Sequence, residues 1–179
     1  QKIVHVIANH IYGFYNPDRA LHLVNIVSLA PLQEPNRVTE MLASYWAPLG
    51  LQAKAFYADM DFKSDVRDYL VGQAWKAEME GYDISLVQHA PLTVASIPRT
   101  FLHEAMVTLV LLDANSVFNT EEEMLMNSLK ERVGDKPIVI CLINAERYVI
   151  EEFTGLLPPY TFLRRLGYRL MHFGLTARG

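Results

Sequence analysis

An α/β fold with a doubly wound, mostly parallel sheet in three layers is what three features of the sequence predict. Short apolar runs alternate with segments of helical periodicity. The stretches that join them are brief and contain Gly, Pro, Asn and Asp. The strongest run, residues 106–112, has six apolar residues of seven and no charge, which suits a parallel strand covered on both faces. With 179 residues, 51% of them hydrophobic, the chain can bury one core, and a single α/β domain over residues 1–179 is expected.

The elements follow in order. Residues 2–11 are a short apolar run, read as a first strand, and Gly13, Asn16 and Pro17 mark a turn after it. Residues 21–29 form the next strand candidate, and Pro31 and Pro35 bracket a loop. Val38, Met41, Leu42 and Tyr45 recur at helical spacing, predicting a helix over about 36–48 that Gly50 closes. Residues 51–58 suit a strand, 59–65 a polar loop, and 65–80 a helix with Val66, Tyr69, Leu70, Ala74 and Trp75. Residues 84–87 are a strand, and 94–101 fit neither state clearly. Asn119 or Thr120 caps a helix whose first turn holds three acids and which Gly134 stops. Residues 137–143 are read as another buried strand and 147–153 as helical. A breaker segment at 155–159, a short helix at 160–167 and a last strand at 168–173 complete the chain.

Composition removes several classes. Sixteen Lys and Arg against 20 Asp and Glu give a net charge of -4, so nothing favours nucleic acid as a partner. Cys141 is alone, which excludes an intrachain disulfide and a cysteine-held zinc, and a buried thiol is expected. No stretch reaches the roughly 18 apolar residues of a membrane span, and residues 1–15 lack the basic start of a signal peptide. The chain starts at Gln1 and is read as a piece of a longer protein.

Right-handed crossovers would gather the strands' carboxyl ends on one edge, so the loops 30–37, 59–65, 88–93, 113–119 and 144–147 should converge there. The strands and these loops carry four notable segments. They are Val24-Asn-Ile-Val-Ser28 with the loop Pro31-Leu-Gln-Glu-Pro-Asn-Arg37; Ala58-Asp-Met-Asp-Phe-Lys63; Tyr82-Asp-Ile-Ser-Leu-Val-Gln-His-Ala-Pro-Leu92; and Val107 to Asp113 with Lys136-Pro-Ile-Val-Ile-Cys-Leu-Ile-Asn144. Over about residues 22–145 the chain resembles the cytoplasmic ATPase domain of bacterial polysaccharide co-polymerases and tyrosine kinases, within the class of P-loop ATPases that includes partitioning proteins. The resemblance implies a P-loop-NTPase-like, Rossmann-like fold. It also shows where the nucleotide site is degraded.

In that family a strand leads into a Gly-rich loop ending in Gly-Lys-Ser/Thr. Pro35 stands here for the last glycine, Asn36 for the lysine and Arg37 for the hydroxyl residue, with Glu34 just before them. Proline lacks an amide proton, so the wrapping of phosphates by backbone amides is lost, as is the lysine. Asp59 and Asp61 match two acids of the family, which handle magnesium and water, and Lys63 matches the basic residue after them. Gln88 replaces the acid that coordinates magnesium, and a neutral amide is a poor ligand for that hard cation. His89 is read as a turn histidine with a structural hydrogen bond rather than a base. Asn144 matches an Asn that lies near the base in relatives. The last segment is also similar to dynamin-type GTPases, but Ala145 and Glu146 do not continue that pattern.

With three catalytic positions altered together, the resemblance implies a non-catalytic pseudo-ATPase domain. It would serve as a regulatory or assembly module in bacterial polysaccharide synthesis or export, without catalytic residues, cofactor or bound metal. It would be cytoplasmic, associated with a membrane through its partners. Those would be protein subunits of a larger complex, a homo-oligomer being a further option. Tyr69 and Trp75, and Leu157, Tyr160 and Phe162, are the candidate interface residues. Two alternatives stay open. One is a nucleotide-binding enzyme with an altered phosphate site using Arg37, Asp59, Asp61 and Asn144. The other is a receiver-like signalling domain with Asp59, Asp61 and Asp113 as its acid cluster.

Overall fold

A computed structural model describes residues 2–58 and 74–144. Apart from Asn144, these residues belong to one compact unit, Gln1–Ile143. The expectations for residues 59–73 and 145–179 lie outside the described residues, and with them the test of a single domain reaching residue 179.

The first element corrects the sequence reading. Residues 2–11 are not a strand; Lys2–Tyr12 is a helix, α1. Its stripe is Ile7, Ala8 and Ile11, all buried, with Val4 packed alongside. Two adjacent buried positions, 7 and 8, fit a 3.6-residue period and not the alternation of a strand. After a turn come β1 (Leu23–Ser28), α2 (Pro35–Trp46) and β2 (Ala53–Tyr57). Pro35 occupies the first turn of α2, where its missing amide proton costs nothing. A short 3-10 turn, Ala47–Leu49, follows α2 and ends at Gly50, whose φ of 81° requires glycine-like freedom.

Beyond residue 73 the chain forms α3 (Ala74–Met79), β3 (Ile84–Gln88), α4 (Arg99–Glu104), β4 (Ala105–Asp113), α5 (Thr120–Val133) and β5 (Ile138–Ile143). The stretch that fitted neither state thus splits into a loop and the short helix α4. Its start is set by Pro98, which holds an extended conformation at the cap.

The five strands pair in the order β2-β3-β1-β4-β5, and every pairing is parallel. Helices cover both faces. On one, α1 and α2 pack Ile7, Ile11, Leu42 and Trp46 against Val24, Ile26, Leu86 and Leu109. On the other, α3, α4 and α5 pack Trp75, Phe101 and Leu129 against Leu23, Val27, Val87 and Val110. Alternate residues of β1 therefore feed different cores, which is why its sequence reads as continuously apolar. β5 is a second correction: it is an edge strand among the described residues. Cys141 is buried, but Ile140 and Leu142 are 52% and 41% exposed.

The helix over 120–133 forms as expected, with Asn119 as its cap. The Asn119 side chain accepts from the Glu122 amide at 2.9 Å, and the Glu122 carboxylate accepts from the Asn119 amide at 3.0 Å. This reciprocal box satisfies two otherwise orphaned donors. Asn119→Ala should lower stability by about 1 kcal/mol in urea unfolding, while Asn119→Ser should lose much less. An unchanged midpoint in the alanine variant would show that the box contributes nothing.

A candidate site at the carboxyl edge of the sheet

The chain leaves β1 toward β2 on one side of the sheet and leaves β4 toward β5 on the other. The switch point of a doubly wound sheet therefore lies at the carboxyl ends of β1 and β4, where ligands of such folds bind. Residues 29–34, 89–98 and 114–119 emerge at this edge. The segment after β3 runs on beside the exit of β1: the amides of His89, Leu92 and Thr93 donate to the carbonyls of Ile26, Ser28 and Leu29 at 2.8, 2.9 and 3.1 Å.

The loop between β1 and α2 holds the first group of expected site residues. It contains no glycine, and none of residues 29–34 takes a positive φ. The alternating αR-αL backbone of one common phosphate nest is therefore absent from it. Glu34 precedes α2 with no side-chain cap, and Pro35 follows it in the first turn. Arg37 turns back to Glu34, its guanidinium 2.8 Å from the carboxylate, with both side chains about two-thirds exposed. Such a pair is worth about 0–1 kcal/mol and leaves the guanidinium partly neutralised. Asn36 is half-buried beside it.

Gln88 ends β3 and is buried on the α2 side of the sheet. Its side-chain oxygen accepts a 2.5 Å hydrogen bond from the hydroxyl of Thr39, which is wholly buried. The hydroxyl that meets position 88 is thus supplied by Thr39, not by residue 37. Thr39 escaped the sequence reading because the stripe chosen for α2 was Val38, Met41, Leu42 and Tyr45. The residues buried deepest are instead Thr39, Leu42 and Trp46. Their spacing of three and four was the available signal.

On the other face of the sheet, His89 is buried, with its Nε2 3.0 Å from the Asn25 side-chain oxygen. The Asn25 amide group donates in turn to the Phe101 carbonyl at 3.1 Å, so Nε2 of His89 carries the proton. The imidazole stands edge-on to Phe101, which stacks on Trp75 at 4.3 Å. Burial pushes the His89 pKa down from 6.5 to about 3. This is a structural histidine, as expected. Asn25 was missed, although a lone polar residue within Leu-Val-Asn-Ile-Val-Ser was its signal.

The remaining sites are quickly placed. Trp75 is only 3% exposed and belongs to the core, so it does not offer the interface proposed for it. Asp113 accepts from the Asn115 amide at 2.8 Å and organises the turn after β4. Asn144 is exposed, just beyond β5, in a left-handed conformation with φ of 56°. Cys141 is buried, its thiol pushed up to about 11 by burial, which makes it a poor nucleophile. Asp59, Asp61, Lys63, Tyr69, Leu157, Tyr160 and Phe162 lie outside the described residues. Among the described residues, no group of three or more His, Cys, Asp and Glu could hold a metal ion. The described part of the edge has no acid at position 88 and no positive-φ residue in the β1–α2 loop. Position 88 offers a neutral amide already bonded to Thr39, and the β1–α2 loop has neither a glycine nor a left-handed residue.

No family model matches the chain, and no curated protein matches its sequence. Solved structures do resemble it. The kinase domain of the Escherichia coli tyrosine kinase ETK is 13% identical, with a TM-score of 0.57 over 81% of this chain and 77% of that one. The kinase domain of VpsO is 10% identical, with a TM-score of 0.55 over 80% of this chain and 95% of that one. The BceF tyrosine kinase domain is 13% identical, with a TM-score of 0.58 over 78% of this chain and 76% of that one. At such identities the likeness is one of fold. The chain has a five-stranded, all-parallel α/β architecture of the kind these kinase domains share, as the resemblance implied.

Two measurements test the site's internal bonding. Thr39→Val should cost about 1–3 kcal/mol because it strands the Gln88 oxygen, and adding Gln88→Leu should recover part of that loss. Strict additivity of the two changes would mean that the pair is not coupled. His89 binds its proton more readily unfolded than folded, so its contribution is fully present above pH 6.5 and is lost as pH falls toward about 3. Between pH 7 and pH 5 the loss should reach about 2 kcal/mol, and His89→Gln should flatten that part of the profile. Identical slopes in the two proteins would rule this out.

Proposed function

We propose that this chain is a non-catalytic pseudo-ATPase domain that acts as a regulatory or assembly module in bacterial polysaccharide synthesis or export. The fold shared with tyrosine kinase domains supports the lineage. The observation that carries the non-catalytic part is Gln88. A neutral carboxamide, buried and hydrogen-bonded to Thr39, stands where the sequence resemblance places a magnesium-binding acid. The β1–α2 loop supports the same reading. Pro31 and Pro35 remove amide donors, and Glu34 puts a negative charge beside the place for a phosphate. At an illustrative 4 Å and an effective dielectric of about 20, two like charges repel by roughly 4 kcal/mol, less once solvent screens them.

In this reading the sheet is kept for the surfaces it holds in place. The pathway follows from the polysaccharide co-polymerases that the sequence resembles. The domain would work on the cytoplasmic side, held at the membrane by partner subunits. No helix among the described residues is long and apolar enough to cross a bilayer.

ATP turnover with Mg²⁺ should stay at background. Turnover that disappears in Arg37→Ala or Asp59→Ala protein would overturn the proposal in favour of an altered-site enzyme. A crystal soaked with Mg²⁺ and a non-hydrolysable ATP analogue should show no β and γ phosphates wrapped by amides of residues 32–38.

A further inference from the structure

The corner where β4 hands over to α5 is built in an unusual way. The Asn119–Glu122 box fixes how the chain enters α5. At such a corner an apolar residue before the cap often packs against an apolar residue four places after the cap. Here the residue before the cap is Phe118, and four after the cap is Glu123, an exposed carboxylate. The apolar staple is replaced by a charge. Phe118 is left 51% exposed, Val117 beside it 86%, and Met124 in the first turns of α5 69%. Single exposed apolar residues are ordinary, but three at one rigidly capped corner are not.

The charges beside them select the occupant. Glu121 and Glu123, both exposed, lie between Phe118 and Met124 in the chain, while the Glu122 carboxylate is used within the cap. A membrane with anionic headgroups would be repelled by this face. A protein segment with apolar residues on one side and lysine or arginine beside them would meet both features. We infer that the Val117–Phe118 corner with Glu121, Glu123 and Met124 is a docking surface for a basic amphipathic helix of a partner protein. The inference rests on the assembly half of the function proposed above and gives that partner a chemistry.

A fluorescein-labelled helical peptide with a leucine face and a lysine face, titrated by anisotropy, tests the surface. A scrambled peptide of the same composition, with no apolar face, is the control. Wild-type protein should bind the first peptide saturably and the scrambled one far more weakly. Val117→Ser with Phe118→Ser should weaken binding about tenfold or more, with an unchanged circular dichroism spectrum, because both residues are exposed. Glu121→Gln with Glu123→Gln should weaken it several-fold and flatten its salt dependence. Absent saturation, equal binding of the scrambled peptide, or indifference to both variants would overturn the proposal. So would preferential binding to phosphatidylserine vesicles, or a wild-type dimer in sedimentation that the Phe118 variant dissolves. A protein that hydrolyses ATP yet binds the peptide through this corner would remove the pseudo-ATPase reading and leave the surface standing. An inactive protein that ignores the peptide would do the reverse.

Discussion

β1 is buried along its whole length, hydrogen-bonded to β3 on one side and β4 on the other, with helices on both faces. Water does not reach this strand, so every polar group on it must find a partner within the protein or go without. Asn25 meets the requirement by joining three elements at once. It holds His89 at the end of β3 and the Phe101 carbonyl of α4, and the Phe101 ring packs on Trp75. Ser28, also buried, has a hydroxyl with no hydrogen-bond partner among the described residues, a cost the packing of β1 must offset.

The carboxyl edge follows from the same demand. Where the strands end, buried polar side chains turn to each other: Thr39 to Gln88 on one face, Asn25 to His89 on the other. The edge of the sheet is thereby organised by internal amides. Carboxylates would need a cation or a proton to sit as deeply, and Gln88 needs neither. A neutral side chain at position 88 is thus compatible with a stable fold that needs no ion there.

The opposite edge is fastened by cations. The short helix α4 ends with carbonyls pointing toward the sheet's amino edge, where Arg19 donates to the Glu104 carbonyl at 2.8 Å and Lys136 to the carbonyls of His103 and Ala105. Lys76 pairs with the Glu104 carboxylate at 2.6 Å. Cations are favourable at a helix carboxyl end, and the amine of Lys136 is held below its ordinary pKa by desolvation first and by Arg19 second. The two edges thus differ in kind. One ties neutral side chains to one another beneath exposed loops; the other ties charged side chains to backbone oxygens.

Local pattern alone determined the parallel sheet, most of its strands and the capped helix α5. Each depends on a short-range signal: a charge-free apolar run, a proline, or an Asn followed three residues later by Glu. The missing amide donors at Pro31 and Pro35 were legible for the same reason, because proline removes a donor wherever it stands. Residues 2–11 were misread because a short apolar run has no unambiguous period, and only packing against α2 showed both Ile7 and Ala8 buried. The fate of Trp75, the exposure of β5, and the pairings of Thr39 with Gln88 and of Asn25 with His89 were decided by tertiary structure. These partners are separated by 49 and 64 positions in the chain. Whether a polar side chain is buried with a partner is set by which elements the fold lays side by side, and no local stretch of sequence contains both halves of such a bond.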